Sequence, residues 1–159
     1  MIHDKIVISL GLAKKLKELN APQKSLFMWE WFNEHCYDVK YYPFHCPKDN
    51  FSTHELYAAF TAGELLEILP SRVDTEKNEP FNHFRFDMQM FNIVEDHTVL
   101  RHYRINYHCD TAQLGSGSPF FALQLFKKNI HAANAADALA MTWIALKEGG
   151  YIDGINLFR

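Results

Sequence analysis

Two stretches alternate apolar and polar side chains residue by residue, and no other feature of this chain limits its fold so tightly. From 83 to 91, Phe84, Phe86, Met88 and Met90 interleave with His83, Arg85, Asp87 and Gln89. From 99 to 108, Val99, Tyr103, Ile105 and Tyr107 interleave with His102, Arg104, Asn106 and His108, with Arg101 the one charge on the apolar side. Successive side chains of a strand point to opposite faces, so each stretch predicts a half-buried strand. The few residues between them predict an antiparallel hairpin. With Glu95-Asp96 as a two-residue loop, Phe84 faces Tyr107, Phe86 faces Ile105, Met88 faces Tyr103, and Asp87 meets Arg104 on the other face. Glu-Asp is not a favoured tight-turn sequence, so a slightly longer loop with the same pairing is an equal alternative.

Helical signals flank the hairpin. Ser9 is placed to cap a helix running to about Asn20, with Leu12, Leu16 and Leu19 at helical spacing and Lys14, Lys15 and Lys17 on the wet side. Asn20 and Pro22 end it. "SLFMWEWF", residues 25–32, predicts a central strand apolar on both faces, with Phe27, Trp29 and Trp31 on one of them. Residues 33–55 are loop-rich, with room for a strand at "DVKYYPF". In "FTAGELLEILP", residues 60–70, Thr61 and Glu64 form a capping-box pattern ahead of Leu65, Ile68 and Leu69. The polar run "SRVDTEKNEP" predicts a surface connection. After the Gly/Ser-rich "AQLGSGSP", "FFALQLF" (120–126) predicts another strand. The closing helix has Asn134 as cap, Asp137 in its first turn, Leu139, Trp143 and Leu146 on one face, and Gly149-Gly150 as the stop.

These elements predict one α+β domain over 1–159, an antiparallel sheet of about three to five strands with helices packed on one face, the last two on its aromatic side. At 159 residues, 48% hydrophobic and with 13 Phe, 7 Tyr and 3 Trp, the chain can bury a large aromatic core without staples. A net charge of -3 with scattered Lys and Arg lacks the basic patch that phosphate backbones demand, so nucleic acid is not favoured as a partner. The N-terminal apolar stretch is too short to span a bilayer and lacks a signal-peptide cleavage pattern, so a cytoplasmic protein without membrane partners is expected. Three cysteines, an odd number, point to reduced thiols rather than a disulfide framework.

The order "GLAKKLKELNAPQKSLFMWEW", then "AFTAGELLEILP", then "NAADALAMTWIALKEGGYI" resembles a family of small uncharacterised proteins of bacterial prophages and related mobile elements. In that family a Leu-Lys helix leads through Pro-Gln into an aromatic strand, a TxxELxxxLP helix follows, and an A-DALAxxWxxLxExG helix closes the chain. The resemblance implies a genomic setting and carries over no catalytic residue. "YYPFHCP" and the tail "DGINLFR" lie outside it.

Each cysteine follows a histidine: His35-Cys36, His45-Cys46 and His108-Cys109. Thiolate and imidazole are the natural zinc ligands, yet the pairs lack the close spacing of a structural zinc site. Adjacent side chains in a strand diverge, so each pair easily offers one ligand to a given ion. No metal or other cofactor is therefore expected. Cys36, Cys46 and Cys109 with His45, brought together by folding, are the alternative metal set. A cysteine nucleophile has no supporting local signature, and a neighbour in sequence is not a hydrogen-bonded base. Metal spacing of the HxxxH kind on a helix is absent, and "LGSGSP" lacks the Lys of a phosphate loop.

What remains is the polar face of the hairpin: His83, Arg85, Asp87, Gln89, His102, Arg104, Asn106 and His108, hydrogen-bonding side chains on a rigid sheet, suited to a protein or small polar partner. The leading expectation is a non-enzymatic protein-binding accessory module. The alternative is a hydrolytic or metal-dependent enzyme using scattered His, Cys and acid residues, which would need two or more of His35, His45, His54, His83 and His108 to converge with an acid. The two apolar faces of "SLFMWEWF" further predict a homodimer in which a second copy shields that strand.

Overall fold

The computed structural model describes residues 6–33, 36–42, 56–74, 83–109 and 123–152, with backbone alone at Phe32, Asn33, Cys36, Asp74, His83, Cys109, Leu123 and Gln124. Its first helix, α1 (Leu10–Glu18), buries Ala13 and Leu16. Asn20 ends it in the left-handed conformation at φ 59°. There the amides of Asn20 and Ala21 return to the carbonyls of Lys17 and Leu16, which satisfies two of the helix's open acceptors. Ser9 does not cap through its side chain. Its amide instead donates to Asp137 Oδ1 (2.6 Å), while Asn134 Nδ2 donates to Val7 O (2.8 Å), so the start of α1 is tied to the start of the closing helix.

Three strands follow, β1 (Phe27–Asn33), β2 (Cys36–Tyr41) and β3 (Tyr57–Ala58), in the order β2-β1-β3. The aromatic strand is central, as its two apolar faces predict. β2 pairs along its length and β3 at Met28 and Trp29, so both edges of the strand are occupied. Helix α2 (Ala62–Ile68) forms the expected capping box: Glu64 N donates to Thr61 Oγ1 and Thr61 N to Glu64 Oε2. The same carboxylate accepts from Ser25 Oγ and Leu26 N, pinning the entry of β1 to α2.

A second antiparallel sheet holds β4 (Arg72–Asp74), β5 (His83–Glu95), β6 (Thr98–Cys109), β7 (Leu123–Gln124) and β8 (Ile130–Ala132). β4 pairs with the start of β5; β7 and β8 share the outer edge of β6. The fold is α+β, but its strands form two antiparallel sheets where the patterning predicts one. Alternation identifies strands and says nothing of their partners. β4 lies inside the polar run expected to be a connection, and of the three side chains of that run that are described only Val73 is buried. The single strand expected over 120–126 is described from Leu123 onward. There the chain leaves the ladder after Gln124 and returns as β8.

Helix α3 (Ala135–Glu148) starts on Asn134, whose Oδ1 accepts from Ala136 N. Gly149 and Gly150 end it. Gly150 takes φ 72°, and the amides of Gly150 and Tyr151 return to Lys147 and Leu146, the arrangement that Asn20 gives α1. Leu139, Trp143 and Leu146 are buried as expected. So are Ala136, Ala138, Ala140, Thr142 and Ile144, because α3 meets β6 and β8 as well as α1 and α2 and is covered nearly all round. Residues of both sheets, among them Met28, Ala58, Phe84, Ile105 and Tyr107, join α3 in one hydrophobic cluster.

Candidate functional site

The hairpin turns on Asp96 and His97, both at positive φ (45° and 63°), with Glu95 paired to Thr98. A two-residue loop with positive φ at both positions matches the right-handed twist of its strands. Placing the loop at Asp96-His97 instead of Glu95-Asp96 moves the pairing by two residues. Phe86 faces Tyr107, Met88 faces Ile105, Met90 faces Tyr103, Asp87 faces Asn106 and Gln89 faces Arg104. An even shift leaves every side chain on its expected face while changing its partner. The Asp87 and Arg104 pairing is corrected accordingly.

The polar face divides into three parts. Arg104 Nη2 donates to Gln89 Oε1, Gln89 Nε2 to Asp87 Oδ2 (3.0 Å), and His108 Nε2 lies 3.3 Å from the same Asp87 oxygen. This diagonal chain crosses both strands, with exposed Arg85 paired to His108 beside it. Asn106, expected in the exposed patch, is buried at 1% exposure. Between β7 and β8 the chain bulges over it. Its amide meets that bulge as another peptide would: Phe126 N donates to Asn106 Oδ1, and Asn106 Nδ2 donates to Phe126 O and Asn129 Oδ1. His102 belongs to a third group, where Phe91 packs against the rings of His102 and His131 at 6.0 and 5.9 Å. The side chain of His83 lies outside the described residues.

Phe91 and His131 were missed by sequence reasoning. Phe91 occupies the polar parity of β5 and could have been found there. β8, at three residues, is too short to show a period.

A catalytic histidine presents one ring nitrogen to an orienting acid and the other to the substrate. His108 meets the first condition through Asp87 and fails the second, because its Nδ1 is buried without a hydrogen-bond partner among the described residues. His35, His45 and His54 lie outside those residues. So do His45 and Cys46 of the alternative metal set, while Cys36 and Cys109 stand on strands of different sheets. No three His, Cys, Asp or Glu gather as metal ligands among the described residues.

Toward its tip the hairpin leaves the core. Phe84, Ile105 and Tyr107 are buried at the base, whereas Met90, Val94 and Val99 are 57%, 70% and 63% exposed. Among the described residues, the outer halves of β5 and β6 form a two-stranded arm beyond the last pairing of β8 at Tyr103. No helix among the described residues is long and apolar enough to cross a membrane. No protein-family model, curated protein or solved structure matches the chain.

Proposed function

We propose that this chain is a non-enzymatic protein-binding module, an accessory protein of a bacterial prophage-like mobile element, and that it works through the β5–β6 arm. The observation that carries the reading is the arm itself: a regular hairpin that bears the Arg104–Gln89–Asp87–His108 chain on one face and, toward its tip, keeps Met90, Val94 and Val99 in solvent on the other. Exposed apolar side chains and a face of hydrogen-bonding groups are both features of contact surfaces. Such a surface on a rigid ladder loses little entropy on binding. The mobile-element setting rests on the three motifs of the resemblance. The inward Nδ1 of His108 weighs against the hydrolytic alternative.

The test pairs the purified chain with the products of the genes beside its own. Calorimetry is run on the wild type and on Arg104→Glu, which reverses one charge of the face. A partner bound by the wild type and lost or weakened at least tenfold in Arg104→Glu supports the reading. Equal binding by both, binding of none of these products, or turnover of ester or phosphate substrates would replace it.

A further inference from the structure

We infer that the free edge of β5 is a self-association surface: two copies of the chain pair β5 to β5 in antiparallel fashion about a twofold axis at Asn92. The inference goes beyond the proposed function, since it concerns a second copy of this chain and the edge of the arm rather than its polar face.

The argument begins with backbone direction. Glu95 and Thr98 close a two-residue loop, so odd-numbered residues of β5 turn their N–H and C=O groups toward β6 and even-numbered residues turn theirs outward. Phe86 confirms the parity, its outward amide donating to Ser71 O (3.0 Å). Beyond that bond, no strand among the described residues pairs with the outer edge of β5. Among the described residues, the outward donors and acceptors of Met88, Met90, Asn92 and Val94 therefore have no strand partner.

Natural edges are usually protected by Lys, Pro, a bulge or brevity. From Asp87 to Glu95 this edge has no Lys and no Pro, and its register with β6 is unbroken. An unprotected edge of this length is a template for another strand.

The side chains select the occupant and the register. Centred on Asn92, twofold pairing sets Met90 against Val94 of the second copy, Phe91 against Ile93, Gln89 against Glu95, and Asn92 against itself. Apolar meets apolar on both faces, and no like charges oppose. Sliding the centre to Phe91 puts Asp87 opposite Glu95 and Met90 opposite Asn92, which costs both charge and packing. In the preferred register the even residues form the hydrogen-bonded pairs, as the outward parity requires. An isologous contact of this kind closes at two copies.

Proline separates the edge from the hairpin. The Asn92 amide points away from β6, so Asn92→Pro removes an outward donor and leaves the intramolecular ladder its bonds. Multi-angle light scattering on the full chain should give a dimer for the wild type and a dissociation constant raised about tenfold or more for Asn92→Pro. The circular dichroism spectrum of the variant should be unchanged. A charge pair then reads the register independently: Met90→Lys and Val94→Glu should each weaken the dimer, and the double variant should restore it, because position 90 faces position 94 of the second copy. A monomeric wild type at high concentration, a dimer indifferent to Asn92→Pro, no rescue by the double variant, or open-ended growth beyond two copies would each overturn the proposal. Loss of partner binding with dimerisation intact would touch only the proposed function.

Discussion

At the base of the β5–β6 hairpin, Phe84, Ile105 and Tyr107 lie under α3 with almost no exposure, while along the same face Met90, Val94 and Val99 stand largely in solvent. The same alternation runs through both regions. What differs is the cover: α3 and its neighbours reach the base, and nothing described reaches the tip. Alternation thus reports which side chains share a face and leaves open whether anything lies on that face. A sequence pattern ordinarily read as a core strand can equally be a surface for another molecule.

The sharpest way to break the contrast is Trp143→Ala, which removes a fully buried side chain from α3 above the base. Large core truncations cost about 3–5 kcal/mol. The buried Trp143 Nε1 has no hydrogen-bond partner among the described residues, and losing that unpaired donor returns part of the cost, so the lower end, about 3 kcal/mol, is expected. Val94→Ala at the tip should change stability by less than about 0.5 kcal/mol. Denaturant unfolding of the two variants measures the difference, and comparable losses would mean that base and tip are held alike.

Asn106 tests the other face of the base. Asn106→Ala strips the partners from Phe126 N–H and C=O in a partly buried setting, where each stranded group costs toward the lower end of about 1–3 kcal/mol, for a total of about 2 kcal/mol. Gln89→Ala, two pairs along the same face and exposed, should cost about 0.5 kcal/mol or less. Equal effects in the unfolding curves would return Asn106 to the solvent-facing patch.

This residue also marks where sequence reading stops. Both faces of β5 and β6, the central position of β1, the capping box of Thr61 and Glu64, and the helix stops at Asn20 and Gly149-Gly150 were legible, because each is a local arrangement with its own chemical signature. The burial of Asn106 was not. It depends on a bulge at Phe126–Asn129, some twenty residues away in sequence, and an alternating pattern assigns Asn106 to the wet side. β4 and β8, three residues each, are shorter than a period can reveal. Of the eight proposed site residues, Asp87, Gln89, Arg104 and His108 form one bonded chain, and His102 is drawn to Phe91 instead, a division set by register.

Tyr107 offers a smaller and pH-dependent measure of the base. Its hydroxyl donates to Pro70 O at 2.6 Å, and burial pushes its ionisation well above the ordinary phenol value of 10.0. Tyr107→Phe should cost about 0.5–1.5 kcal/mol at neutral pH, one hydrogen bond. The folded state resists the phenolate and the unfolded state does not. The stability tied to the neutral phenol is therefore complete below pH 10 and is lost progressively as the pH rises from there toward the folded-state value. The wild type should lose stability faster than the Phe variant above pH 10, so the gap between them narrows; melting temperatures measured from neutral to alkaline pH that stay parallel would place the phenol in water.

The smallest effect belongs to the turn. His97 holds φ 63°, where a residue with a Cβ is strained by about 1–2 kcal/mol, and Asp-Gly is a favoured sequence for such a loop. His97→Gly relieves the strain but gives the unfolded chain more freedom to lose, about 0.5–1 kcal/mol, leaving a small net gain. If the tip is an arm that opens independently of the core, that gain is local. Amide exchange in the outer halves of β5 and β6 should slow by a few-fold, while the global unfolding free energy moves by no more than about 0.5 kcal/mol. Slower exchange spread evenly over base and tip, matched by the same small gain in the global unfolding free energy, would mean that the tip unfolds only with the base and that the two regions are one cooperative unit.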